Sequence, residues 1–289
     1  MKCCFLVRLT AISLATLFLQ QSLVRCEEDT KPIRALLVIG GCCHDYEKQK
    51  EILTKGISAR ANVQWTIAYD PDKGTKHLNP VYLKDDWAQK YDVIVHDECC
   101  ADVKDPETIK RILAPHRSGV PAVILHCGMH CYRSEGWPKS TPWFDFTGLK
   151  TTGHGPQAPI AITFTDKESP ITKGMENWTT SNEELYNNIT GKLEERAQPL
   201  ATGVQILKGK NGTETKAQSI VAWTNTYNGK TRVFATTLGH NNATVANAHY
   251  LDLVTRGLLW SVDKLDQAHL KPASKVLLED VFKPVPAPQ

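Results

Sequence analysis

The reading of the fold turns on residues 33–62, IRALLVIGGCCHDYEKQKEILTKGISARAN. Its first nine residues form a near-continuous apolar run closed by Gly40 and Gly41, the pattern of a strand buried in a parallel sheet. From Asp45 onward the period changes. Ile52 and Ile57 recur at helical spacing with Lys and Glu between them, so residues 45–62 read as an amphipathic helix. A buried strand that runs straight into a helix opens a strand–helix–strand unit, and the alternation continues. VQWTIAYD (63–70), YDVIVHDE (91–98) and PAVILHC (121–127) read as strands. DPETIKRILAPHRSG (105–119) reads as a helix with Asp105 as N-cap and Pro106 at its first position. The expected class is α/β, a flavodoxin-like parallel sheet with helices on both faces.

Residues 136–155 are rich in Gly, Pro and Trp without periodicity and read as a long irregular loop over one end of the sheet. Strands are expected at 159–164, 198–207, 218–224 and 231–239, with a hairpin turn at Asn228-Gly229 between the last two. Residues 244–262 read as a long amphipathic closing helix, and the tail 266–289, ending in KPVPAPQ, as extended. The 289-residue chain is long enough for one large domain or two small ones, and its body reads as 32–265.

A net charge of +3 without a long basic block argues against a nucleic-acid partner. Residues 1–26 carry Lys2 and Arg8 ahead of the apolar run Leu9–Leu19 and read as a secretory signal, so the protein is expected to be exported. Export would bring the six cysteines of the body into an oxidising compartment where disulfides persist.

The chemistry-bearing residues sort by position. Cys42, Cys43, His44 and Asp45 follow the first strand; His96, Asp97, Glu98, Cys99 and Cys100 close the third. His126, Cys127, His130 and Cys131 follow the fourth, and His240 the last. In open α/β sheets ligands bind outside the carboxyl ends of the strands. All six body cysteines and five of the ten histidines lie there, which points to a site at that end. Each cysteine alone also suits plain packing or a disulfide whose pairing the order does not reveal. The spacing of four between His126 and His130 sets two imidazoles on one face if the turn is helical, as zinc sites use.

GGCCHDY (40–46), LHCGMHCYR (125–133), TTGHGP (151–156), EELY (183–186) and VFATTLGHNN (233–242), in this order, resemble ThuA-like, or trehalose-utilisation, proteins. The resemblance runs from about Ile33 to Leu265. It implies a fold similar to class I glutamine amidotransferases, with Cys127 at the nucleophile turn, His240 at the histidine position and Asn242 where a Glu would stand. The glycines that flank that nucleophile are replaced by Leu125 and Met129, so the resemblance does not extend to glutamine hydrolysis.

What it implies instead is carbohydrate utilisation beside a partner sugar dehydrogenase that makes 3-keto-glycosides, with a small-molecule sugar as substrate. The protons next to a keto group are acidic, so a base, an acid and a holder for the enolate are needed. The candidates are His126, Cys127, His240 and Asp45 as catalytic groups and His154, Tyr132, Arg133, Glu184 and Tyr186 as sugar-binding groups. His44, His126 and His130 are the candidate ligands of a divalent metal such as zinc. Three readings stay open: a keto-sugar isomerase, lyase or hydrolase; a non-catalytic carbohydrate-binding module; and a hydrolase with Cys127 as nucleophile and His240 as base.

Overall fold

The computed structural model describes residues 31–189, 193–209, 211–270 and 278–280; residues 1–26, expected to be a secretory signal, lie outside them. The strands are β1 (Ile33–Gly41), β2 (Val63–Asp70), β3 (Val93–Cys99), β4 (Ala122–Leu125) and β5 (Ala158–Phe164). They continue with β6 (Trp178–Glu183), β7 (Ala197–Lys208), β8 (Glu214–Tyr227), β9 (Thr231–Thr236) and β10 (Leu278–Asp280). The helices are α1 (Tyr46–Ser58), α2 (Pro106–Ser118), α3 (Pro142–Thr147), α4 (Asn242–Val245) and α5 (Ala248–Ser261).

All ten described strands join one mixed sheet in the order β10-β2-β1-β3-β4-β9-β8-β7-β5-β6. The β10-to-β9 part is parallel, and β8, β7, β5 and β6 extend it antiparallel. The fold is thus α/β with a large mixed sheet whose parallel half carries the apolar strands. The chain leaves β1 for β2 on one side and passes to β3 on the other. That reversal opens a crevice at the carboxyl ends of β1 and β3.

The period-two alternation of buried strands divides the core. Ala35, Leu37 and Ile39 of β1 join a cluster with Leu53 and Ile57 of α1 and Leu253 and Leu258 of α5. Leu36 and Val38 join a second cluster with Ile109, Ile112 and Leu113 of α2 and Trp143 and Phe146 of α3. Each fully buried side chain of this size contributes about 1.5–3 kcal/mol.

Two elements differ from the sequence reading. Helix α3 lies inside the stretch expected to be irregular, capped by Thr141, whose Oγ1 accepts from Phe144 N at 3.1 Å, and ended by Gly148 at φ 80°. Six residues are too few to display a helical period. Strand β6 was not legible because its inward residues include Thr180 and Glu183, buried polar groups that break the apolar alternation. Part of the expected extended tail, β10, pairs in parallel with β2. The hairpin turn between β8 and β9 places Asn228 and Gly229 at φ 52° and 74°, the left-handed values a two-residue turn requires. Among the described residues no helix is long and apolar enough to cross a membrane.

Candidate functional site

The carboxyl ends of β1, β4 and β9 deliver three histidines to one place. At the end of β1, a Cβ on Gly40 would strike the carbonyl of Asp70, and one on Gly41 that of Cys99. Only glycine lets β1 run this close between its neighbours and turn His44 over the sheet edge. His126 follows β4 at φ 40°, a conformation that costs a non-glycine residue about 1 kcal/mol or more and that marks functional turns. His240 follows β9 through Leu238 and Gly239.

One ring nitrogen from each of His44, His126 and His240 lies within 4.8 Å of the others. The ring of His44 stands edge-on to both partners, with centroids 4.7 Å away in each case. Glu184, just beyond β6, closes the group. Its Oε1 is 3.1 Å from His240 Nδ1, and its Oε2 is 3.5 Å from His126 Nε2 and 3.4 Å from His154 Nε2. The His240 contact is an ion-pair distance without hydrogen-bond alignment.

The surrounding groups fix how these rings are presented. His126 Nδ1 lies 2.7 Å from the carbonyl of Thr237, which only accepts, so Nδ1 carries the proton and the Nε2 lone pair faces the cluster. Tyr186 Oη is 3.2 Å from that Nε2 and donates to it. Gln157 Nε2 donates to His240 Nε2 at 2.8 Å, and the His240 backbone N–H donates to Glu183 Oε1 at 2.9 Å. The buried Nδ1 of His44 has no hydrogen-bond partner among the described residues.

Electrostatics follow from this crowding. Burial, with His126 and His240 adding to it, pushes His44 down to about 2, so its imidazole is neutral and offers a lone pair. His240 is raised by Glu184, against the opposing effect of burial. Burial pushes the Glu184 carboxyl up, but its contacts with His126 and His240 outweigh that and hold it well below the ordinary carboxylate range. Burial, then Glu184, raises Tyr186 well above the ordinary phenol range and keeps it a donor.

The other candidates fall elsewhere. His126–His130 forms a 3-10 turn, not an α-helical one. Residues four apart do not share a face there, and His130 is not one of the three clustered imidazoles. It stacks on Tyr186 with centroids 4.1 Å apart, lies 3.4 Å from Thr151 Oγ1, and is pushed down to about 3 by burial and by Arg133. Asp45 caps α1 and accepts from Asn242 Nδ2 at 2.9 Å, so Asn242 orients Asp45 and not His240. Tyr132 is fully buried edge-on to Trp143, and Arg133 lies over the Trp137 ring. Cys127 is bonded to Cys99 and in this state has no thiolate to serve as a nucleophile. His96 and Glu98, on the opposite face of β3, meet Tyr82 and His116 in a buried network: Glu98 Oε1 lies 2.6 Å from Tyr82 Oη and 2.9 Å from His96 Nδ1.

Gln157, Glu183 and Thr237 were missed from the sequence. Thr237 acts through its carbonyl, which no residue type reports, and Gln157 carries no chemistry until the fold sets it against His240. A cleft of 510 Å³ lined by Gly41, His44, Asp45, Tyr69 and Lys73 opens beside the histidines. A larger cavity of 600 Å³ lies at the opposite ends of the strands, lined by Ile33, Asp92, Pro121 and Arg232, and holds none of these groups.

A family model described as trehalose utilisation, ThuA, matches residues 34–261. A ThuA-like protein of Parabacteroides merdae ATCC 43184 superposes with a TM-score of 0.62 at 20% identity, over 85% of this chain and 93% of that one. A ThuA-like protein of Bacteroides uniformis ATCC 8492 superposes at 0.57 and 15% identity, over 83% and 95%. Likeness at these identities concerns the fold. A search among curated protein sequences finds no match.

Proposed function

We infer the chemistry of this chain from a premise that the match over residues 34–261 establishes: it belongs to the ThuA, or trehalose-utilisation, family. Within that family's link to carbohydrate, the reading proposed here is an exported enzyme that processes a keto-sugar at a divalent-cation centre. One observation carries it: three imidazole nitrogens from three separate strand ends lie mutually within 4.8 Å. The donor set suits zinc, which takes three histidines and keeps a fourth position open in catalytic sites. The groups fit such an ion. His44 Nδ1 is buried without a partner among the described residues, His44 is neutral, and His126 is oriented by a backbone carbonyl on its far nitrogen, whereas His240 would have to give up its Nε2 contact with Gln157 or the proton on Nδ1 to join them.

When bound, the cation would supply Lewis acidity to the oxygen that gains charge as a carbon-bound proton leaves. The chain's own groups do the rest. With His240 neutral beside the ion, Glu184 would lose the charged partner that helps hold its carboxyl down and would become a better proton acceptor. His154, 40% exposed and within 3.4 Å of Glu184, can pass that proton to solvent. With the His126 Nε2 lone pair given to the ion instead of the Tyr186 hydroxyl, that hydroxyl is free to border the sugar with His154.

A second reading needs no metal: His240, raised by Glu184, acts as acid and base itself. The deciding experiment measures zinc content of the purified protein, beside His44→Ala and His126→Ala, together with solvent-deuterium uptake next to the keto group of a 3-keto-glucoside. Near-stoichiometric zinc lost in both variants, with uptake that needs zinc and Glu184, is the expected result. Uptake that survives complete chelation selects the second reading. Sugar binding without any uptake, with or without zinc, rejects both and leaves a carbohydrate-binding module.

A further inference from the structure

Four cysteines outside this chemistry meet under the same strand ends. Cys42 and Cys43, in the turn after β1, form a disulfide between chain neighbours. Cys99 at the end of β3 is joined to Cys127 in the turn after β4. The two bonds touch, with Cys42 Sγ 3.3 Å from Cys99 Sγ. Their access to solvent differs sharply. Cys43 is exposed and Cys42 half-buried, whereas Cys99 and Cys127 are only 4% and 7% exposed. The two remaining thiols are occupied elsewhere: Cys131 Sγ accepts from the Cys100 N–H and donates to the Glu98 carbonyl, and Cys100 faces the Glu98 carboxylate. Any reductant therefore reaches the first disulfide and is kept from the second.

We propose that these four cysteines are a thiol–disulfide exchange site that takes two electrons from an external dithiol at Cys42–Cys43 and delivers them to Cys99–Cys127. A thiolate of the dithiol attacks the exposed Cys43 Sγ; the Cys42–Cys43 bond breaks and Cys42 leaves as thiolate. The second thiol of the reductant attacks its own sulfur in the mixed disulfide, so the reductant departs as a disulfide and Cys43 is freed. Cys42 then attacks Cys99 Sγ, its contact partner, and Cys127 leaves and takes a proton. Cys43 attacks Cys42 Sγ, restores Cys42–Cys43, and releases Cys99, which takes the second proton. The balance is one dithiol oxidised and one buried disulfide reduced, with the surface pair regenerated. Because Cys127 follows His126, the exchange reaches the turn that carries a site imidazole.

The test is disulfide peptide mapping of the whole chain after acid quench and alkylation, which also separates the leader cysteines. In Cys43→Ser, Cys42 has no resolving neighbour, so a Cys42–Cys99 linked peptide with alkylated Cys127 should accumulate. Wild-type protein given one equivalent of dithiothreitol should show alkylated Cys99 and Cys127 with Cys42–Cys43 intact; this arm needs no variant to fold. In Cys42→Ser, reduction of Cys99–Cys127 by dithiothreitol should slow at least tenfold. An intact Cys99–Cys127 bond in Cys43→Ser, alkylation confined to Cys42 and Cys43 in the wild type, or equal reduction rates in Cys42→Ser would each overturn the proposal.

Discussion

Replacing Glu184 with Gln keeps the shape of the side chain and removes the charge that three imidazoles share. The effect can be worked from the geometry. Only the contact with His240 Nδ1, at 3.1 Å, is short; those with His126 and His154 are 3.5 and 3.4 Å. A hydrogen-bonded contact to a charged group contributes about 1.5–3 kcal/mol; this one is an ion pair without hydrogen-bond alignment, which sets about 2 kcal/mol as its upper bound. The side chains are 8% and 16% exposed, so solvent screens little of it. The pH dependence follows from two shifts of opposite sense. Glu184 is held below its ordinary 4.5, so its contribution is full above that value and lost as pH falls towards its folded pKa. His240 is raised above its ordinary 6.5, so its contribution is full below that value and lost as pH rises through its folded pKa. Both are present between 4.5 and 6.5. With chelator present, thermal unfolding of Glu184→Gln should fall by up to about 5 °C below wild type near pH 5.5, and the gap should close towards pH 8.5. A gap of equal size at the two pH values, or a more stable variant at the lower one, would refute the ion-pair account.

Three further outcomes are expected. Tyr186→Phe removes the hydroxyl that donates to His126 Nε2 while keeping the stack on His130, and should cost about 1 kcal/mol by urea titration; an unchanged midpoint would show that the hydroxyl does not support the site. A methyl at Gly257 would overlap the Phe234 ring where α5 packs on β9, so Gly257→Ala should lose about 1–3 kcal/mol. Full stability in that variant would mean the helix shifts freely. Asp105→Ala deletes the cap that accepts from Thr108 N at 2.8 Å and should cost about 1 kcal/mol, with Asp105→Asn recovering most of it; equal losses in the two variants would assign the effect to charge and not to the cap.

The location of the site was legible and its membership was not. Cysteines and histidines gathered at strand ends are visible in the order of residues, because a parallel strand announces itself as an apolar run and whatever follows it lies at one edge of the sheet. The pairing of His126 with His130 failed to form because the turn winds with three residues per turn, a local choice made by the packing of Met129 and by the Trp143 indole, which donates to the Gly128 carbonyl at 2.8 Å. Asn242 stands two residues from His240 in sequence, yet α4 turns it to Asp45.

By itself the sequence determined the α/β class, the order of the parallel strands' elements, the Asn228-Gly229 hairpin and the end of the sheet where chemistry gathers. Those features rest on periodicity and on backbone preferences, which act over a few residues. Only the tertiary structure decided that His44, His126 and His240 share one point with Glu184, that Cys99 pairs with Cys127, and that Thr237 sets the tautomer of His126. These contacts join residues from 28 to nearly 200 positions apart. Their geometry depends on which strands lie side by side and on carbonyls and turns that any sequence could supply, so no local pattern encodes them.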